Sequence, residues 1–334
     1  MIEHGGRLRR AAQQYGIALT DWLDLSTGIN PHPYPVPPIP AETWQRLPED
    51  DDGLEAAAAG YFGTAALLPV AGSQPAIQAL PQVLPGVRVS VLAPSYAEHA
   101  HAWRHHNASS FAAEALDDVA ASNDIVVVVQ PNNPTGTLFP RERLLAAHRR
   151  LAARGGWLVV DEAFIDTTPE ASLATLAGTD GLVVLRSIGK FFGLAGARVG
   201  FVLAPATVRA ALAERLGPWT VSGPARHAAR HALLDRAWQD DTRRRLDMAG
   251  ARLARLLRDT GCGQPRGPAL FKWIARSDAG VLHARLAQQG ILTRLFEHPP
   301  AVRFGLPANE AEWARLETAL SACAASTIAA ASST

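Results

Sequence analysis

The 334-residue chain is poor in lysine and in cysteine, and both shortages are informative. Only two of its 32 Lys and Arg residues are lysines, Lys190 and Lys272, so arginine is the ordinary cation of this sequence. The two cysteines, Cys262 and Cys323, belong to no spaced metal or redox motif. We therefore expect no metal site, and two idle thiols in a reducing cytoplasm.

Further absences narrow the class of protein. The net charge is +1, which gives no electrostatic reason to expect a nucleic-acid partner. No window approaches about 18 uninterrupted apolar residues, so no membrane span is expected, and the opening MIEHGGRLRR lacks the apolar core of a signal peptide. No Gly-x-Gly-x-x-Gly string follows a predicted strand, which disfavours a nicotinamide dehydrogenase.

Five short runs that are apolar throughout alternate with helical segments. Such runs suit strands buried on both faces, and they predict an α/β fold with a mostly parallel sheet sandwiched by helices. We expect an N-terminal arm and proline-rich connector over 1–40, a large domain over 41–235 and a smaller α+β domain over 236–334. The runs are VRVSVLA (87–93), DIVVVVQ (124–130), WLVVDEA (157–163), GLVVLRS (181–187) and VGFVLA (199–204).

Chemically useful side chains follow the carboxyl ends of these predicted strands, which is where ligands bind in open α/β sheets. In chain order they are Tyr96, Asn133, Asp161 and Lys190. Taken singly, each has an ordinary structural explanation as a core aromatic, a turn residue, a helix cap or a surface cation. The Gly-Ser-Gln loop at 72–74, which leads into a helix, could likewise be only a helix cap.

One ligand, pyridoxal 5′-phosphate, accounts for the whole set. A lysine amine forms a Schiff base with its aldehyde and arginine cannot, which explains a lysine at position 190. A carboxylate keeps the pyridine nitrogen protonated, so that the ring accepts electrons. An aromatic can stack on the ring, an amide can donate to the 3′-oxygen, and a helix N-terminus can bind the phosphate. Ser187 and Arg198 flank the lysine and can complete the phosphate site.

Three motifs carry a family resemblance: NNPTG (132–136), DEAF (161–164) and SIGKFFGLAGARVG (187–200). Over most of its length the sequence resembles the histidinol-phosphate aminotransferase-like branch of the fold-type I pyridoxal-phosphate enzymes. The resemblance implies the fold-type I architecture and a homodimer whose active sites lie near the subunit interface. It implies that Lys190 binds the cofactor aldehyde, Asp161 the ring nitrogen, Asn133 the 3′-oxygen and Tyr96 the ring face. The residues implied for the cofactor phosphate are Ser73, Gln74, Ser187 and Arg198.

Within that branch, EHGG (3–6) followed by LDLSTGINP (23–31) is similar to the opening of the L-threonine-O-3-phosphate decarboxylases of cobalamin biosynthesis. The resemblance implies that a phosphorylated amino acid loses CO2 and leaves (R)-1-amino-2-propanol O-2-phosphate. Arg303 matches the arginine that binds the substrate carboxylate, and Arg294 matches the one near the substrate phosphate. Further substrate-binding candidates are His4, Gly28 and Asn30.

Two positions depart from the family pattern. Phe164 replaces a tyrosine that often donates to the 3′-oxygen, and Leu47 replaces a tyrosine that often reaches the cofactor phosphate of the other subunit. Two alternatives stay open. One is an aminotransferase acting on histidinol phosphate or a related amino acid, which needs a 2-oxo acid acceptor. The other is a non-catalytic homologue that has lost the cofactor.

Overall fold

A computed structural model describes residues 4–331, with side chains up to Cys323. The chain divides into two compact units. The larger unit comprises Pro33–Asn133 and Thr137–Thr242, and the smaller comprises Met1–His32, Pro134–Gly136 and Arg243–Thr334. Within residues 4–331, no helix is long and apolar enough to cross a membrane.

The helices and strands alternate along much of the chain. The helices are α1 (Leu8–Tyr15), α2 (Glu42–Gln45), α3 (Leu54–Phe62), α4 (Ser73–Val83), α5 (Ala97–Ala102), α6 (Leu116–Ser122), α7 (Arg141–Ala152), α8 (Ala206–Leu216), α9 (Gly223–Leu234), α10 (Arg236–Asp259), α11 (Ala279–Gln288) and α12 (Glu310–Ala331). The strands are β1 (Leu23–Asp24), β2 (Leu67–Val70), β3 (Val89–Leu92), β4 (Ser109–Phe111), β5 (Ile125–Val129), β6 (Trp157–Asp161), β7 (Leu182–Ser187), β8 (Gly200–Leu203), β9 (Lys272–Ala275), β10 (Ile291–Leu292), β11 (Arg294–Glu297) and β12 (Pro300–Phe304).

The larger unit is built on a seven-stranded sheet with the order β2-β8-β7-β6-β5-β3-β4. Five adjacent strands, β7, β6, β5, β3 and β4, run parallel to one another. The strand β8 is antiparallel to both of its neighbours, β2 and β7. Every residue of β3, β5 and β8 is buried, as expected for strands covered on both faces. All five predicted strands are present, and the predicted mostly parallel sheet is confirmed.

The two edge strands, β2 and β4, lie outside the five predicted runs. Pro69 interrupts β2 and has no N–H to donate to a ladder, which is tolerated at a sheet edge. The strand β4 has only three residues, and its two serines are exposed. Neither strand has the continuous apolar character by which the central strands are predicted.

The smaller unit combines helices with short strands. Its antiparallel sheet has the order β11-β12-β9, and α11 packs against β11 and β12. A parallel pair, β1 and β10, joins the N-terminal part of the unit to its C-terminal part. An apolar cluster that includes Trp22 and Leu292 holds α1 in place. The N-terminal residues are therefore a structured part of this unit.

The second lysine of the chain has a structural place in β9. The Nζ of Lys272 donates to the carbonyl oxygens of Gly267 and Pro268 at 2.9 and 2.8 Å. Burial lowers the pKa of Lys272 to about 8, and the negative charge of Asp247 acts in the opposite direction. Because both acceptors belong to the loop before β9, this lysine closes that loop.

Candidate active site

The carboxyl ends of the parallel strands in the larger unit carry the predicted cofactor side chains. β6 ends on Asp161, while Tyr96 follows β3, Asn133 follows β5 and Lys190 follows β7. Adjacent parallel strands end at the same edge of a sheet, so the topology brings these side chains to one edge. Ser73 follows β2 and Arg198 precedes β8 at that same edge.

Asp161 is buried and accepts hydrogen bonds at both oxygens. The backbone N–H of Ala163 donates to Oδ1 at 3.0 Å, and Nε2 of His99 lies 2.9 Å from Oδ2. A carboxylate can only accept, so the imidazole donates when Asp161 is ionised. His99 is 1% exposed and lies in the first turn of α5. Sequence reasoning missed His99; its position three residues after Tyr96 was the available signal.

Gln74 is hydrogen-bonded to two side chains. The hydroxyl of Tyr96 donates to Oε1 at 3.1 Å, and Nε2 donates to Oε2 of Glu98 at 2.7 Å. The side-chain amide of Gln74 thus faces Tyr96 and Glu98. Burial, followed by the charges of Asp161 and Glu98, raises the pKa of Tyr96 to about 12. The hydroxyl therefore stays protonated.

The N-terminus of α4 forms a tight backbone cradle beside Arg198. Gly72 has a φ of 72°, and a Cβ there would lie 2.4 Å from Nη2 of Arg198. A Cβ at Gly200 would lie 2.8 Å from the backbone nitrogen of Ser73. Glycine at both positions lets a guanidinium and a neighbouring strand approach the first turn of α4. Helix N–H groups and a guanidinium together suit a phosphate.

Lys190 and Ser187 lie in the turn that follows β7. The Nζ of Lys190, which is half-buried, lies 5.7 Å from the centroid of the Phe164 ring. Ser187 is the last residue of β7, and its Oγ accepts a hydrogen bond from the N–H of Gly189 at 3.1 Å. A primary amine, a buried carboxylate and an anion cradle are thus present at one edge of the sheet.

In the smaller unit, the two predicted substrate arginines are direct cross-strand partners. The register of β11 and β12 places Arg294 opposite Arg303. The guanidinium of Arg303 lies 5.1 Å from the ring centroid of Phe271. Burial lowers the pKa of Arg303 to about 10, with a further decrease from Arg294 and an opposing effect of Asp24. Like charges placed directly opposite destabilise a sheet, so this arrangement favours an anionic ligand.

The other substrate candidates lie in the N-terminal part of the smaller unit. Gly28 and Asn30 are buried in the loop after β1, and Oδ1 of Asn30 accepts from the N–H of His32 at 2.9 Å. His4 lies in the arm before α1. Over the part of the chain with described side chains, no group of three or more His, Cys, Asp or Glu residues suits a metal ion.

Comparisons with known proteins agree with this geometry. Residues 47–316 match the family described as aminotransferase class I and II. The chain is 56% identical over 322 residues to threonine-phosphate decarboxylase of Pseudomonas aeruginosa, covering 96% of this chain and 97% of the relative. It is 43% identical over 334 residues to threonine-phosphate decarboxylase of a Sinorhizobium species, with the same coverage of both chains.

A solved structure supports the fold. Histidinol-phosphate aminotransferase from Sinorhizobium meliloti, in complex with pyridoxal-5′-phosphate, matches with a TM-score of 0.82 and 22% identity, covering 98% of this chain and 99% of that chain. The predicted fold-type I architecture is confirmed. The α4 cradle, Asp161 and Lys190 fit the predicted cofactor, pyridoxal 5′-phosphate. The chain therefore belongs to the aminotransferase class I and II family.

Proposed function

We propose that this enzyme removes CO2 from L-threonine O-3-phosphate and releases (R)-1-amino-2-propanol O-2-phosphate, in the cytoplasm, as a step of cobalamin biosynthesis. The observation that carries the proposal is the pair Arg294 and Arg303, because two adjacent cations suit a substrate with both a carboxylate and a phosphate. The 56% identity to a threonine-phosphate decarboxylase supports it.

The larger unit would hold the cofactor. We assign its ring to Tyr96, Asn133, Asp161 and Lys190, and its phosphate to Ser73, Gln74, Ser187 and Arg198. When bound, pyridoxal phosphate supplies an aldehyde for the substrate amine and a ring that accepts the electron pair released at Cα. Asp161, fixed by hydrogen bonds at both oxygens, would pair with the ring nitrogen and keep it protonated. Lys190 supplies the amine that anchors the cofactor, and it then donates a proton to Cα.

The choice between losing CO2 and losing a proton is a matter of positioning. Arg303 binds the substrate carboxylate, and its guanidinium is itself held by Phe271 and by the carbonyl of Ser26. A guanidinium held in this way presents a planar donor pair in one orientation, which fixes the direction of the Cα–carboxylate bond. Arg294 binds the substrate phosphate, so the substrate is held at two points.

The proposal is tested by incubating cofactor-loaded protein with L-threonine O-3-phosphate and no oxo acid. We expect CO2 and aminopropanol phosphate in equal amounts over many turnovers. A histidinol-phosphate aminotransferase would instead transfer the amino group of histidinol phosphate to 2-oxoglutarate and release no CO2. Protein that binds no pyridoxal phosphate, and so lacks its visible absorbance, would support the non-catalytic alternative.

Replacing His99 with leucine is expected to weaken the function of Asp161. The substitution removes the donor 2.9 Å from Oδ2 of a buried carboxylate, so that oxygen loses its hydrogen bond and the carboxylate binds a protonated ring less well. We expect kcat to fall about 10- to 100-fold. We also expect the pH-dependent change in the cofactor absorbance to occur at a lower pH than in the wild type. His99→Gln, which can still donate, should recover part of both. Unchanged absorbance and rate in His99→Leu would contradict the assignment.

We further propose that the protein is a homodimer. Three large apolar side chains are exposed in the larger unit: Trp44 at 69%, Leu47 at 62% and Trp219 at 58%. A groove of about 530 Å³ lies between the segment that follows Leu47, beginning at Pro48, and the segment around Trp219. Exposed aromatic and aliphatic side chains in one region are typical of protein interfaces.

Sedimentation is expected to give a mass of twice 35.6 kDa for the wild type. The double variant Trp44→Glu, Leu47→Glu should sediment as a monomer, because charged side chains would replace its apolar contacts. Val87→Glu is the matched control, since Val87 is 74% exposed and does not line the groove. A monomeric wild type, or a dimeric double variant, would contradict the proposed interface.

A further inference from the structure

Ser26 lies in the loop after β1, is 1% exposed, and uses all its polar groups within the smaller unit. Its N–H and its hydroxyl both donate to Oδ1 of Asp24, at 2.9 and 2.6 Å. Its Oγ accepts from the N–H of Gly6 at 2.7 Å, and its carbonyl accepts from Nη2 of Arg303 at 2.7 Å. One serine therefore connects the N-terminal arm, an acidic residue and the buried arginine.

Two glycines in the N-terminal arm before α1 allow this contact. A Cβ at Gly5 would lie 2.4 Å from the carbonyl oxygen of Ser26, so only glycine allows the arm to come this close. Gly6 has a φ of 78°, in the left-handed region that glycine adopts readily, and this turns its N–H toward Ser26. The two glycines and Ser26 thus form a built contact between the arm and the loop.

Ser26 also affects the orientation of the Arg303 side chain. The hydrogen bonds to Asp24 set the orientation of Ser26 on both its backbone and its side-chain groups. The carbonyl of Ser26 and the ring of Phe271 both contact the Arg303 guanidinium and restrain its orientation. A carbonyl has no net charge, so it orients a guanidinium without neutralising it.

We propose that Ser26 is a positioning residue that anchors the N-terminal arm and orients Arg303 for the substrate carboxylate. The second part rests on the proposed function, because it assumes that Arg303 binds that carboxylate. Losing the hydroxyl would free the N–H of Gly6 and remove one of the two bonds to Asp24. We therefore expect both the N-terminal arm and the Arg303 side chain to become more mobile in the same variant.

The anchoring of the arm is tested by limited trypsin digestion of the cofactor-loaded protein, with mass spectrometry of the N-terminal heptapeptide released after Arg7. We expect Ser26→Ala and Gly5→Ala to release it about tenfold faster than the wild type, because local opening exposes the bond. Ser122→Ala and Gly280→Ala are matched controls, since Ser122 is exposed and a Cβ at Gly280 meets nothing within 4 Å. Release at the wild-type rate from Ser26→Ala would overturn the proposal.

The orientation of Arg303 is tested by the affinity for L-threonine O-3-phosphate, measured by calorimetry, and by steady-state kinetics. For Ser26→Ala we expect the dissociation constant and KM to rise about tenfold, and kcat for CO2 release to fall by about the same factor because Arg303 no longer fixes the direction of the Cα–carboxylate bond. Wild-type affinity in this variant would overturn the proposal even if the arm were released. If the wild type does not bind the compound at all, the proposed function fails, and the trypsin result alone decides whether Ser26 anchors the arm.

Discussion

Replacing Lys190 with alanine is expected to slow CO2 release from L-threonine O-3-phosphate by more than about a thousandfold. The physical reason is that the side chain provides the one amine we assign both to the cofactor aldehyde and to proton return at Cα. Lys190→Arg should be as inactive, although it keeps the positive charge, because a guanidinium does not condense with an aldehyde under these conditions. The comparison of the two variants separates the chemistry of the amine from its charge.

Borohydride reduction of the loaded protein gives an independent measurement. We expect the cofactor to become covalently attached at Lys190 in the wild type and to stay unattached in both Lys190 variants. Lys272→Met is the matched control, because Lys272 is the other lysine and bonds the carbonyls of its own loop. Attachment at Lys272, or turnover near the wild-type rate in Lys190→Ala, would overturn the assignment.

Replacing Arg186 with leucine is expected to lower the free energy of unfolding by about 3–5 kcal/mol. Arg186 is 4% exposed in β7, directly before Ser187. It forms ion pairs with Glu162 at 3.3 Å and with Asp166, and its guanidinium lies 4.7 Å from the ring centroid of Phe62. Without the arginine, two buried carboxyl groups would lose their common counter-charge.

Denaturant unfolding measures the effect, and its pH dependence has a defined sign. Burial already raises the pKa of Glu162, and Arg186 opposes that rise. In the variant the pKa rises further, so the folded state favours the protonated acid and loses stability as pH increases above about 4.5. The deficit should therefore be larger at pH 8 than at pH 5.

A surface ion pair provides the control for Arg186. Arg150 pairs with Asp117 at 3.3 Å, and both side chains are about half exposed. Arg150→Leu should cost less than about 1 kcal/mol, because solvent screens the pair. Equal losses in the two variants would mean that burial does not decide the cost of breaking these pairs.

The central strands were predictable because their residues are apolar throughout. A strand such as β5, with five buried residues in succession, has no polar face and suits only the middle of a sheet covered on both sides. The edge strands were not predictable in this way. β2 contains a proline and β4 is short and partly exposed, so their place depends on the neighbour that each one pairs with.

In the candidate site, likewise, some residues could be predicted from the sequence and others could not. The roles proposed for Asp161, Lys190 and the two late arginines could be predicted, because few functions need a carboxylate, an amine and a guanidinium in that order along the chain. Their partners could not. His99 precedes Asp161 by 62 positions, and only its place three residues after Tyr96 hints at the contact; Ser26 precedes Arg303 by 277, and nothing in the local sequence marks that contact.

By itself, the sequence determined the parallel sheet and predicted the cofactor and the chemical groups proposed to bind it, since these depend on residue type and on order along the chain. Only the tertiary structure decided how those groups are held. It placed Arg294 opposite Arg303, turned the Gln74 amide toward Tyr96 and Glu98, and brought two glycines of the arm against Ser26. Orientation depends on contacts between distant segments, and such contacts exist only once the chain has folded.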